Sequence, residues 1–163
     1  MGQTVCFGCS RVLDQEDDLR FLTKTCDHCF PTILSSLDGR TSDYLESLDV
    51  PAALLSREQV VLAFNRLFKD LAPDLDVVGL RIGEVLDCMY SPLLGRCGQT
   101  VTCLLCKLKR SVDHTSLTGE GLLTVPFSFP HKAEARRTFT ITTEKVGDAV
   151  LLLMAATIPE GSD

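Results

Sequence analysis

The sequence predicts an α+β chain with two N-terminal cysteine knuckles, a helical middle and a small C-terminal antiparallel β-sheet. Three observations carry this. Two Cys-x-x-Cys pairs, Cys6/Cys9 and Cys26/Cys29, fall within the first thirty residues. Between 31 and 90 apolar residues recur at helical spacing. The last third alternates, then closes in the apolar run AVLLLMAA at 149–156, the length of a buried strand. The chain thus divides into a knuckle region (1–30), a helical region (31–90) and a β-rich region (91–163) that holds a second cysteine cluster.

Composition decides how the cysteines are read. With 45% apolar and 23% charged residues, the 163-residue chain is globular in character. No apolar run is long enough for a transmembrane segment, and no basic stretch followed by an apolar one marks a secretory signal. The expectation is an intracellular protein, in the cytoplasm or nucleus. In a reducing compartment, eight cysteines with paired spacing argue for metal rather than disulfides.

CFGC, sixteen residues, then CDHC is the spacing of a four-thiolate zinc site. Two tight turns each deliver two soft ligands, which complete a tetrahedron and leave no open position. Over residues 6–29 the pattern resembles a zinc ribbon, and the resemblance implies a structural Zn2+ at Cys6, Cys9, Cys26 and Cys29 rather than an activity. The N-terminal knuckles are therefore zinc-ribbon-like. A redox dithiol is the rival, but the βαβ pattern expected before it is missing. His28 sits inside a knuckle and is not counted as a ligand.

A second pair, CLLC, is read with Cys97 and His114 as another zinc site: Cys97, Cys103, Cys106 and His114. Cys88 or His131 are alternative partners, although Cys88 lies in an apolar helical phase that suits a buried thiol. A nucleophile at Cys103 or Cys106 would need His114 and Asp113 as base and orienter. Those two adjoin in sequence and have no evident geometry for the task. Gly2 is the position that takes a myristoyl chain, but that pattern wants Ser or Thr where this chain has Cys6. The tetrapeptide GQTV at 2–5 recurs at 98–101, again ahead of a Cys-x-x-Cys pair.

In the middle region Pro31 opens a short helix that closes at Gly39. Thr41 or Ser42 caps a second over Thr41–Leu48, with Asp43 and Glu46 at its positive end. The longest is SREQVVLAFNRLFKDLAP, with capping-box spacing at Ser56 and Gln59 and a stop at Pro73. Val60, Phe64, Leu67 and Leu71 form its stripe, widened by Val61 and Phe68. A further helix over Asp76–Tyr90 turns Val78, Ile82, Val85 and Met89 inward. Beyond it, LLTVPFSFP (122–130) is a strand that Pro126 pushes to a sheet edge. RTFTITT (137–143) alternates with Phe139 and Ile141 on one side, and Val146-Gly147-Asp148 turns into the last strand.

No phosphate-binding loop, dinucleotide fingerprint, HExxH or nucleophile elbow is present. The expectation is a zinc-stabilised, non-enzymatic adaptor or regulatory protein that acts through protein partners. The alternative is a zinc-finger-type nucleic-acid-binding transcription regulator. Residues 1–96 carry 15 acidic and 9 basic side chains, so a nucleic acid would have to use the basic stretch in 97–137: Lys107, Lys109, Arg110, Lys132, Arg136 and Arg137.

Overall fold

The computed structural model describes residues 3–16, 23–26, 29, 39–88, 97, 105–129 and 137–156. Its centre is a five-stranded sheet made of β1 (Ala52–Leu55), β2 (Val61–Phe64), β3 (Leu122–Phe129), β4 (Arg137–Val146) and β5 (Ala149–Ala156). The spatial order is β2-β1-β5-β4-β3, and all four pairings are antiparallel. Four helices are described: α1 (Gly39–Glu46), α2 (Arg66–Lys69), α3 (Ile82–Val85) and α4 (Lys107–Thr118).

The helical middle is the expectation that the structure overturns. Residues 52–64 form a β-hairpin, and β1 lies beside β5 at the centre of the sheet. The chain is therefore mainly one antiparallel sheet with short helices, not knuckles followed by a helical domain and a small separate sheet. The signals at Ser56 are real, but they belong to a turn. Ser56 Oγ accepts from the backbone N–H groups of Glu58 (3.3 Å) and Val60 (3.2 Å). Its own N–H donates to the Val60 carbonyl (2.8 Å), which closes the hairpin. Gln59 then takes a left-handed φ of 63°, incompatible with a helix running through it.

The stripe moves accordingly. Val61 and Phe68 are fully buried, whereas Leu67 is 40% exposed. Downstream, Gly79 at φ 86° interrupts the helix expected over 76–90. Residues 79–82 instead exchange backbone hydrogen bonds with 59–61, and only one helical turn, α3, remains. Val78, expected inside, is 54% exposed. Met89, Tyr90 and residues 31–38 lie outside the described residues, while Gly39, the expected stop of the short helix after Pro31, is instead a residue of α1.

The uninterrupted apolar run of β5 follows from its central place. Val150, Leu152 and Met154 face one cluster with Ala53, Leu55, Phe139, Ile141, Phe127 and Phe129, covered by α2, α3 and α4. Leu151 and Leu153 face the other with Ala52, Leu54 and Val146, covered by Tyr44, Leu45 and Leu48. Both faces of β5 are buried, so no polar alternation is needed. Pro126 sits in β3 at the sheet edge, where a missing N–H is tolerated. Helix α4 runs from N-cap Cys106 to Gly119, whose φ of 77° is the left-handed stop. It was hidden in the sequence because its inner face mixes Leu108 and Val112 with Ser111 and Thr115. Thr115 is buried on a 2.6 Å hydrogen bond to Thr143.

Candidate metal centre

The N-terminal segment folds back on itself around its first cysteine pair. Val5 and Val12 form an antiparallel bridge, and the Leu13 N–H donates to the Thr4 carbonyl (2.9 Å). Inside that bridge, the Cys6 N–H donates to the Arg11 carbonyl (2.7 Å) and the Ser10 N–H to the Cys6 carbonyl (2.9 Å). This tight turn brings Cys9 round to face Cys6. The second pair docks through the Phe7 N–H, which donates to the Lys24 carbonyl (2.8 Å). The Cys26 N–H in turn donates to Cys6 Sγ (3.3 Å).

The result is a cluster in which the sulfurs of Cys6, Cys9, Cys26 and Cys29 all lie within 4.8 Å of one another. Cys6 Sγ is 3.7 Å from Cys26 Sγ, and Cys9 Sγ is 3.9 Å from it. A tetrahedron with sulfur about 2.3 Å from a central zinc has edges of about 3.8 Å. A disulfide would need about 2.05 Å, and none of the seven described cysteines is disulfide-bonded. The donor set, its number and its spacing fit a thiophilic divalent cation. Burial by itself pushes the Cys6 thiol up. Backbone N–H groups of Cys26, Cys9 and Gly8 outweigh it and bring Cys6 down to about 6. Cys29 is pushed up to about 12, by desolvation and then by the neighbouring thiols of Cys26, Cys6 and Cys9. Four thiols this close cannot all ionise unless a cation offsets their charge.

The cluster is fastened to the body of the fold. Phe7 packs edge-on against Tyr44 (5.5 Å between ring centres), and Tyr44 Oη donates to the Thr23 carbonyl (2.5 Å). Lys24 Nζ reaches Asp49 (2.7 Å). Phe7 and Cys29 pack against the cluster of Tyr44, Leu45, Leu151 and Leu153. The cysteine cluster therefore caps one face of the sheet.

The second set is placed differently. Cys97 and Cys106 both pack, partly exposed, against the core cluster under α3 and α4, and so does Cys88. Cys103 lies outside the described residues, as do Gly2, His28 and His131. His114 is not brought to Cys106. It stands eight residues along α4, a rise of about 12 Å, and its Nε2 is 3.4 Å from Glu120 Oε2. Asp113 accepts from Gln59 Nε2 (3.0 Å) and Lys109 Nζ (2.6 Å). Neither side chain is brought to Cys106, the N-cap of α4, and Cys103 is outside the described residues. Of the basic stretch, Lys107, Lys109 and Arg110 open α4, with Lys109 already paired to Asp113. Lys132 and Arg136 lie outside the described residues. Among those described, no helix is long and apolar enough to cross a membrane.

No family model matches this sequence, and no curated protein matches it. Solved structures do match in shape. The PAS domain of nitrogen regulation protein NR(II) from Vibrio parahaemolyticus superposes with a TM-score of 0.52 at 10% identity, covering 72% of this chain and 97% of that one. The PAS domain of BvgS from Bordetella pertussis gives 0.51 at 12%, covering 74% and 85%. The LOV protein of Rhodobacter sphaeroides gives 0.51 at 12%, covering 74% and 66%. The five-stranded sheet with its short helices thus has the PAS-domain shape. At these identities the likeness speaks of fold alone.

Proposed function

We propose that this chain is a signal-sensing regulatory domain built on a PAS-like sheet and stabilised by a structural Zn2+ at Cys6, Cys9, Cys26 and Cys29. It acts inside a cell by binding another protein, without catalysis of its own. The observation that carries the zinc reading is the convergence of four sulfurs at tetrahedral spacing against one face of the sheet. A closed four-thiolate site has no position for substrate, so its binding energy goes into folding. The regulatory reading is supported by the PAS-like fold, which this chain shares with a domain of a nitrogen regulation protein. A net charge of −6 favours a protein partner over nucleic acid.

The test has two parts. Protein purified without added metal is analysed for zinc, then stripped with a chelator while circular dichroism follows the fold. Bound zinc whose removal loosens the N-terminal segment is the expected result. Fully folded protein that contains no metal and does not take up zinc overturns the zinc reading. Capture of a defined protein partner supports the adaptor role. Tight, steeply salt-dependent binding to DNA or RNA would favour a nucleic-acid regulator instead.

A further inference from the structure

The four thiols of the N-terminal centre are not equally reachable. Cys6 is buried, Cys26 and Cys29 are half-buried, and Cys9 is exposed. Cys9 Sγ stands 3.9 Å from Cys26 Sγ, so closing a disulfide of about 2.05 Å between them takes a shift of about 2 Å. Both turns that present this pair are strained. Ser10, next to Cys9, has a φ of 63°, and Lys24, two residues before Cys26, has a φ of 55°. Non-glycine residues hold that left-handed conformation where their surroundings over-determine it. Here the surroundings are the four-sulfur cluster itself and the Phe7 N–H bond to the Lys24 carbonyl (2.8 Å).

The same segment is joined to the sheet. Phe7, between Cys6 and Cys9, sets its ring 5.5 Å from that of Tyr44. Tyr44 is fully buried and shares a core cluster with Leu151 and Leu153 of β5, the central strand. A change in the turn between Cys6 and Cys9 therefore reaches the middle of the fold.

Resting on the zinc reading above, we propose that the signal this domain senses is an oxidant of the peroxide class, received at Cys9 and resolved by Cys26. Zinc is redox-inert and keeps its thiolates deprotonated, hence nucleophilic. The Cys9 thiolate attacks one oxygen of hydrogen peroxide and the O–O bond breaks. Cys9 becomes a sulfenic acid and hydroxide leaves. The Cys26 thiolate then attacks the Cys9 sulfur and expels a second hydroxide, which forms the Cys9–Cys26 disulfide. The two sulfurs give up two electrons, the peroxide takes both, and two protons from solvent turn the hydroxides into water. Cys6 and Cys29 remain as two ligands where a structural site takes four. Metal binding is lost, its share of the folding energy goes with it, and the strained turns at Ser10 and Lys24 relax away from Tyr44.

The experiment treats the full chain, loaded with Zn2+, with hydrogen peroxide. Zinc content is measured first, and protein that binds no zinc overturns the zinc reading and this proposal together. With zinc bound, a chromogenic chelator follows its release while mass spectrometry of the alkylated, digested protein maps the disulfides. About one zinc should leave per disulfide formed, with Cys9–Cys26 the first to form. The chain has no tryptophan and two tyrosines, so tyrosine fluorescence reports on Tyr44. It should change with zinc release, return after dithiothreitol and zinc are added, and stay constant in Tyr44→Phe. Zinc that stays bound while Cys88 or Cys97 oxidises overturns the oxidant proposal and leaves the zinc reading standing. Release through a different first disulfide overturns it in the same way. The zinc and disulfide readings come from the wild-type chain and do not depend on a variant folding.

Discussion

Asn65 is a side chain whose removal should cost much for so few atoms. It is 1% exposed and stands where β2 turns into α2. Its Oδ1 accepts from the backbone N–H groups of Ala52 (3.0 Å) and Phe68 (2.9 Å). Its Nδ2 donates to the carbonyls of Leu45 (3.0 Å) and Val50 (2.9 Å). One amide thus ties α1, the loop before β1, β1 itself and α2 into one piece. Each bond contributes about 1 kcal/mol net, and buried partners left unpaired raise the loss. Asn65→Ala should therefore destabilise by about 4 kcal/mol, a large share of the roughly 5–15 kcal/mol of a typical domain. Asn65→Asp keeps both accepted bonds but sets a carboxylate against two carbonyl oxygens. Its folded-state pKa should rise above the unfolded value of about 3.9. The folded state then holds the proton longer, so the deficit against wild type grows as pH rises above about 4 and levels off past the raised pKa. Urea unfolding followed by circular dichroism, compared with wild type at each pH, measures both effects. An Asn65→Ala loss below about 1 kcal/mol, or an Asp variant whose deficit ignores pH, would refute this reasoning.

Three further outcomes follow from the same geometry. Cys6→Ser or Cys26→Ser should lose one zinc by elemental analysis and speed proteolysis near residue 7, while the sheet's circular dichroism persists; retention of all zinc would contradict the N-terminal site. Phe68→Ala should cost about 3–5 kcal/mol and Leu67→Ala under about 1, since the first is fully buried and the second is 40% exposed; equal losses by urea unfolding would restore the long helix. Gly83→Ala should destabilise even though Ala gains about 1 kcal/mol of helix propensity over Gly, because its methyl would meet Cys97 Sγ at 2.5 Å; a stabilised variant would show that no sulfur sits there.

The cysteine spacing of 6, 9, 26 and 29 was legible in the sequence because two-residue knuckles are local and their ligand chemistry is short-ranged. The strands at 122–129, 137–146 and 149–156 were legible for a similar reason, as alternation, an edge proline and a continuous apolar run each state a burial pattern. The hairpin at 52–64 was not. Val60, Val61, Phe64 and Phe68 fit a 3.6-residue period as readily as a strand followed by a turn of helix. What decides between them is the vacant edge of β5 that β1 fills. That edge exists only once β4 and β5 have paired, so the choice belongs to tertiary contact and not to local propensity. Likewise Ser56 signals a cap or a turn with equal force until its partners Glu58 and Val60 are seen. The second thiol group shows the same division. Spacing named Cys97, Cys103 and Cys106 with His114, and offered Cys88 only as an alternative partner. Only the folded chain brings Cys88 back over Gly83 beside Cys97, because a reversed turn shortens a path through space that sequence distance cannot reveal.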